Sequence, residues 1–318
     1  MAGHVDSAGF PLEGGCDCGL VRYRIGTAPL FVHCCHCRWC QRESGAAFAL
    51  NAMIEADRVV DLGALPELID TPSASGEGQK IARCPHCRVA VWSYYASAGP
   101  LLRFVRVGTL DEPDRLPPDI HIFTASRQPW VVLPAGTPAV PEYYDRERYW
   151  PAASLERRQA LLPAIDAYQR AIEQRQLVHS RDIDAPPAAV FAAFTDPAQL
   201  TRWWGPAGFT STFETFEPRP GGRWIFTLHG PDGRDYPNTI RFVDVSPPRC
   251  VRLQHVVEPW FELLITFTAA DAGRTRVGWR QRFVSAEHCQ RIAGYARQAN
   301  EQNLDRLQAV VADAGRAG

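Results

Sequence analysis

The chain has 318 residues, 46% of them hydrophobic and 22% charged, which is ordinary for a globular protein and comfortable for two domains. A formal net charge of −1 gives no global electrostatic case for nucleic acid or an anionic membrane. The N-terminus MAGHVDSAGF lacks a basic region and an apolar run, so no secretory signal is expected, and no apolar stretch is long enough to span a bilayer.

Residues 14–26, GGCDCGLVRYRIG, begin as a glycine-rich turn around Cys16 and Cys18 and continue as a strand in which Val21, Tyr23 and Ile25 alternate. The next stretch, HCCHCRWCQRESG, places four cysteines and two histidines within residues 33–40. Cys35, Cys37 and Cys40 make a C-x-C-x-x-C trio, with Cys34 beside it. Residues 46–56, 58–62 and 67–71 are strand candidates, and 71–80 form a polar loop. RCPHC follows, where Cys84 and Cys87 flank a turn in the manner of a zinc knuckle. Strands are expected over 89–95 and 101–107, and strand character over 120–133, so the first half is mainly β. Seven of the ten cysteines thus sit in metal-ligand spacing, which in a reducing cytoplasm means metal more readily than disulfides. Four thiolates close a structural Zn²⁺ site, whereas three leave a position for substrate or water. Two pairs and one trio would give one site of each kind.

GGCDCGLVRY, CHCRWCQRESGAAF, CPHC and HIFTASRQPW together resemble the glutathione-dependent formaldehyde-activating family over roughly residues 10–145. The resemblance implies a β-tent fold and two Zn²⁺ ions. It assigns Cys16, Cys18, Cys84 and Cys87 to a structural zinc and Cys35, Cys37 and Cys40 to a catalytic one. It also implies a carbon–sulfur lyase acting on a glutathione–aldehyde adduct such as S-hydroxymethylglutathione, with the thiol as fourth ligand. His36 is then a positional candidate to protonate the hemithioacetal oxygen, set against a role as a supporting or solvent-facing residue. Arg38 and Arg42 could pair with glutathione carboxylates, set against a merely solvated basic face. Cys34 has three readings: a buried small hydrophobe, a fourth ligand that closes the trio, or a redox-active neighbour. The family usually has glycine after the last thiol pair; this chain has Arg88.

A proline- and aromatic-rich stretch, 134–153, precedes a helix over 154–176, with Leu161, Ile165, Tyr168 and Ile172 as one apolar stripe and a kink or restart expected at Pro163. The organisation expected is a zinc-binding domain over 1–150, a linker helix over 151–176 and a second domain over 177–318. In the second, LVHSRDIDAPPAAVFAAFTDPAQLTRWWGP reads strand, helix, short helix, and six alternating strands follow between turn signals. Residues 285–314 form one long helix whose apolar face carries Ile292, Ala296, Ala299, Leu304, Leu307 and Val311. IDAPPAAVFAAFTDPAQLTRWWGP, PRPGGRWIFTLHGPDG and the final helix resemble the homologues of the activator of heat-shock protein 90 ATPase, which belong to the START-like superfamily. This implies an α+β helix-grip fold, in which Trp203, Trp204, Trp224, Phe226, Trp260 and Trp279 either line a cavity for a hydrophobic ligand or fill the core. The opposing reading of the whole chain is a non-enzymatic zinc module fused to a ligand-binding or co-chaperone-like domain. An enzyme needs an exchangeable fourth ligand at the trio; a scaffold needs both zincs saturated by protein.

Overall fold

The computed structural model describes residues 9–71, 73 and 78–317. The chain forms two compact units, Met1–Gln169 and Arg170–Gly318.

The first unit contains β1 (Leu12–Gly15), β2 (Arg22–Ile25), β3 (Phe31–Cys35), α1 (Arg38–Ser44), β4 (Ala49–Glu55), β5 (Val59–Asp61) and β6 (Glu67–Thr71). It continues with β7 (Gln79–Arg83), β8 (Ala90–Tyr95), β9 (Leu102–Arg106), β10 (Ile120–Ile122) and α2 (Arg146–Tyr149), and α3 (Ala152–Glu173) carries the boundary. Strands β1, β2 and β5 make a small sheet; the larger one runs β10-β3-β4-β9-β8-β7-β6. Within it β10 lies parallel to β3, with His121 opposite Cys34. One core packs Val21, Tyr23, Ile54, Val91, Trp92 and Val105, and takes in Cys16 and Cys84. Another packs Phe31, Met53, Ile120, Trp150 and Ile165 around Cys35 and Cys40. The strong strand patterns of this half are where the alternation puts them. The expected strand character over 120–133 stops at Ile122, because Phe123 turns into the left-handed region (φ 55°) and a short helical turn follows.

Helix α3 passes through Pro163 as one element rather than restarting there. Proline removes a hydrogen bond to the carbonyl four residues back, on Gln159, and both residues are exposed, so water takes the freed oxygen. The helix is fastened to the first unit by Arg157, whose Nε and Nη2 donate to the buried Glu55 carboxylate at 2.8 and 2.5 Å. Ile165 adds an apolar anchor in the same core.

The second unit begins with β11 (Gln176–Ile183), α4 (Pro187–Thr195) and α5 (Pro197–Trp203). Strands β12 (Thr210–Phe216), β13 (Arg223–His229), β14 (Asp235–Ser246), β15 (Cys250–His255), β16 (Phe261–Ala269) and β17 (Thr275–Phe283) lead to α6 (Ala286–Ala317). The sheet is antiparallel throughout, in the order β11-β17-β16-β15-β14-β13-β12. Helix α6 lays Leu304, Leu307, Val310 and Val311 into a core of Trp203, Trp204, Trp224, Phe226, Phe242 and Trp279. Asp196 caps α5 by accepting from Ala198 N at 2.9 Å, directly before Pro197. Helix α4 starts at Pro187 with Pro186 as its N-cap and no side-chain cap, and Asp184 lies outside it. Trp260 also departs from expectation: it is half exposed and donates to Val256 O, so it lines nothing in the core. No helix among the described residues is long and apolar enough to cross a membrane.

Candidate metal centres

The first pair of thiols is carried by a turn in which Cys16 N donates to Val21 O and Gly19 N to Cys16 O. Gly19 adopts φ 75°, and a Cβ on Gly15 would collide with the Val21 carbonyl, so the turn needs its glycines. The second pair repeats the design: Cys84 N donates to Val89 O, and Arg88 N to Cys84 O. Here the left-handed position is held by Arg88 at φ 63°, where glycine would sit without strain. Its guanidinium is tied to Glu67. In both turns a backbone N–H points at sulfur: Val21 N to Cys16 Sγ at 3.3 Å and His86 N to Cys84 Sγ at 3.4 Å.

The two turns bring Cys16, Cys18, Cys84 and Cys87 together, with all four sulfurs within 4.8 Å of one another. Cys16 Sγ lies 3.5 Å from Cys18 Sγ, and Cys18 Sγ 3.6 Å from Cys84 Sγ. A tetrahedral ion with Zn–S bonds of about 2.3 Å needs sulfurs roughly 3.8 Å apart. These two separations come within a few tenths of an ångström of that value, and the other sulfurs lie within reach of the same ion. Backbone hydrogen bonds from Cys18 and Val89 draw the Cys87 thiol down to about 6, toward the thiolate a metal requires.

The trio forms a separate set. Cys35 ends β3, Cys37 is the extended residue that caps α1, and Cys40 lies in the first turn of that helix. Cys37 Sγ accepts from Cys40 N at 3.3 Å, as a capping side chain does. The three sulfurs lie within 4.8 Å of one another, again a soft donor set suited to zinc. Hydrogen bonds from Cys35, then from Cys40, hold the Cys37 thiol well below its ordinary value. An open hollow of about 380 Å³ lies beside Ser44, lined by Phe48, Ala49, Leu50, Val107 and Pro113, with Arg106 at its wall. Ser44, the last residue of the trio helix, donates its Oγ to Cys40 O at 2.7 Å within that helix.

Cys34 and His36 do not join the trio. They form a third set with His121, and all three residues are buried. His36 is wholly enclosed, and its Nε2 lies 3.0 Å from His121 Nδ1 and 3.6 Å from Cys34 Sγ. Burial, then the positive neighbourhood of His121 and Arg127, pushes the His36 imidazole down to about 4, so it is neutral at pH 7. Arg38 is exposed and donates to Gln41 Oε1 at 2.9 Å; Arg42 is exposed on the same short helix.

Several residues of this region carried no motif signal. Gln41 Nε2 bridges His36 O at 2.6 Å and Ser126 O at 2.9 Å, joining the trio helix to the segment after β10. Arg106 donates to Glu43 at 2.7 Å and to Asn51 at 2.8 Å, which fixes the far side of α1. His121 stood within HIFTASRQPW, but its meeting with His36 spans 85 residues and depends on a three-residue parallel strand. Cys250 contacts Asp244 and Cys289 is packed in a small apolar cluster; neither belongs to a metal-type group among the described residues.

Comparison with known proteins accords with this geometry. Residues 11–126 match the family described as glutathione-dependent formaldehyde-activating enzyme, and residues 184–312 match the family described as activator of Hsp90 ATPase homolog 1-like protein. A protein of Halomonas elongata named "Putative glutathione-dependent formaldehyde-activating enzyme" is 29% identical over 127 residues, which are 38% of this chain and 80% of that one. Among solved structures, a protein from Arthrobacter aurescens is 25% identical with a TM-score of 0.42, covering 45% of this chain and 88% of its own. The AHSA1 protein from Silicibacter pomeroyi is 21% identical with a TM-score of 0.36, covering 43% of this chain and 97% of its own. The chain therefore joins a domain similar to the glutathione-dependent formaldehyde-activating enzymes to one similar to the activator of Hsp90 ATPase homologues.

Proposed function

We propose that the first unit is a zinc-dependent carbon–sulfur lyase that makes or breaks an adduct between a thiol, glutathione first, and an aldehyde such as formaldehyde. The observation that supports it is the division of seven thiols into a set of four and a set of three. Cys16, Cys18, Cys84 and Cys87 would hold a structural zinc. Cys35, Cys37 and Cys40 would hold a second, and zinc bound there would lower the pKa of the substrate thiol. In the forward direction the thiolate sulfur bonds to the carbonyl carbon, the C=O π pair moves to oxygen, and that oxygen takes a proton. In reverse the hydroxyl loses its proton and the C–S bond breaks. His36 stands next to Cys37 in sequence, but its Nε2 is engaged by His121 and Cys34. We therefore assign the proton to solvent water rather than to His36. Arg38 and Arg42, both exposed on α1, would take the carboxylates of glutathione.

The second unit is proposed to bind an apolar or amphipathic small molecule. Trp224 and Trp279 flank Trp204, with ring centroids 4.8 and 5.7 Å away. Both indole N–H groups are buried without a protein acceptor, and a ligand oxygen would satisfy them. None of the ten cysteines is in a disulfide, which suits a cytoplasmic setting.

The test of the lyase reading is exchange spectroscopy of glutathione and formaldehyde with the full chain. Acceleration of hemithioacetal exchange is expected, with near-complete loss in Cys37→Ser. Exchange no faster than in buffer, from protein with both thiol sets loaded, would favour a structural zinc module. Replacing glutathione by cysteine or 2-mercaptoethanol separates a general thiol site from one that reads the tripeptide.

A further inference from the structure

We propose that Cys34, His36 and His121 form a third metal site, one that takes a borderline divalent cation, zinc first, through one sulfur and two imidazole nitrogens. Its origin is the strand itself. Successive residues of a strand face opposite sides, so Cys34 turns away from Cys35. The parallel neighbour β10 then sets His121 directly opposite Cys34. His36 follows β3 and is pinned by its backbone: His36 N donates to Ile122 O at 3.0 Å, and its carbonyl accepts from Gln41 Nε2 and Ser126 Oγ. The donor atoms are thus held by main-chain pairing on both sides before any ion arrives, which is the arrangement a metal site requires.

The distances agree with that role. Bonds of about 2.3 Å to sulfur and about 2.05 Å to nitrogen in a tetrahedral shell put S···N near ~3.6 Å and N···N near ~3.3 Å. The observed values are 3.6 and 3.0 Å. The two imidazoles must part by roughly 0.3 Å to replace the hydrogen bond between them with an ion, and all three donor atoms already lie within 4.8 Å of one another. The nitrogens that face outward, His36 Nδ1 and His121 Nε2, are buried without a hydrogen-bond partner. A hydrogen-bonded neutral pair leaves one of these as an N–H and the other as a bare lone pair. Metal binding puts a proton on each of them, turns both inner nitrogens into ligands and releases the Cys34 thiol proton. Thiolate with two imidazoles is a set that zinc and copper take readily, and hard cations such as Mg²⁺ do not.

The site stands apart from both thiolate sets, so its test can fail while they survive. The full chain, purified from zinc-supplemented medium without chelator, is compared with Cys34→Ser and His121→Gln by mass-spectrometric metal analysis per protein. Gln keeps a hydrogen-bonding side chain at 121 but is a far poorer ligand. Three ions per chain are expected in the parent and two in each variant. Two ions in the parent, or an unchanged content in both variants, overturns the third site and leaves the thiolate sets as they are. Should the variants fold poorly, zinc X-ray absorption on the parent decides alone. Outer-shell imidazole scattering is expected, and its absence overturns the proposal.

Discussion

The two units solve the problem of holding a sheet together by different means. In the second, seven antiparallel strands follow one another as neighbours apart from β11, and a single long helix covers one face. Its core is one large cluster of aromatic and aliphatic side chains with a small satellite around Leu177, Phe283, Cys289 and Ala296. In the first unit the strands are shorter, most of three to seven residues, and they divide between two sheets and two apolar clusters. Cysteine sulfurs sit inside both clusters. Both units bury apolar area, but the first also draws thiols together from points far apart in the chain. A core divided between two sheets of short strands is a setting in which a metal cross-link adds to folding. If the thiol sets hold zinc as proposed, one unit is organised by burial alone and the other by burial and ligation, and the two should fail under different insults.

The largest expected effect follows directly. On the proposed assignment, Cys84→Ser removes one ligand of the structural zinc and strong chelation removes the ion, at a cost on the order of 10 kcal/mol to folding at neutral pH. Hydrogen exchange read by mass spectrometry should then show amides of residues 9–169 losing protection while those of 170–317 keep theirs. Equal loss in both units would break the comparison. The reciprocal insult is Leu304→Ala, which empties a fully buried site under the second sheet. It should cost about 2–5 kcal/mol, seen as a lower urea midpoint for the second unit's amides, with zinc content unchanged.

How much of this was legible in the sequence differs between the units for the same physical reason. In the second, TFETF, RWIFTL and FELLITFTA alternate because one sheet face is buried, and α6 shows its stripe because one helix face is. Local periodicity reports burial, so the fold could be read. In the first, the thiol motifs announced which residues matter, and the structure brings Cys16 and Cys18 to Cys84 and Cys87 as the family resemblance implied. Spacing alone could not have chosen those partners, since the pairing is made by turns 66 residues apart. His121 was invisible for that reason too, and helix α1 was missed because a helix of seven residues has no room to show a period. The strand expected after residue 122 failed on Phe123, whose left-handed backbone no hydrophobicity pattern encodes.

A smaller effect sharpens the picture of the knuckle turns. Arg88 occupies a left-handed position at a cost of roughly 1 kcal/mol relative to glycine. Its exposed pairing with Glu67 returns a few tenths at most. Arg88→Gly should therefore raise the melting temperature of the first unit slightly, whereas Arg88→Ala, which loses the ion pair and keeps the strain, should not. Glycine and alanine behaving alike would show that the turn, once ligated, no longer feels its backbone angle.

The smallest expected effect lies where α6 crosses β11. His179 Nδ1 meets Glu301 Oε1 at 2.6 Å, Arg181 Nη2 meets Glu301 Oε2 at 2.9 Å, and Arg181 also pairs with Asp305. The hydrogen bond from His179 holds the Glu301 carboxyl below its ordinary value of 4.5, Arg181 adds to this, and partial burial opposes both. A carboxyl whose folded pKa is depressed binds its proton more weakly in the folded chain than in the unfolded one. Its contribution is therefore present above 4.5 and lost as pH falls through the folded value. Because the Glu301 side chain is 49% exposed, water and salt screen the pair, and it should be worth only about 0.5 kcal/mol. Hydrogen exchange along α6, in the parent and in Glu301→Gln, should show a small difference at neutral pH that closes in acid and in high salt. A difference that persists unchanged in acid would mean that the effect of Glu301→Gln does not come from the charge of the carboxylate, and the ion-pair reading of this edge would fall.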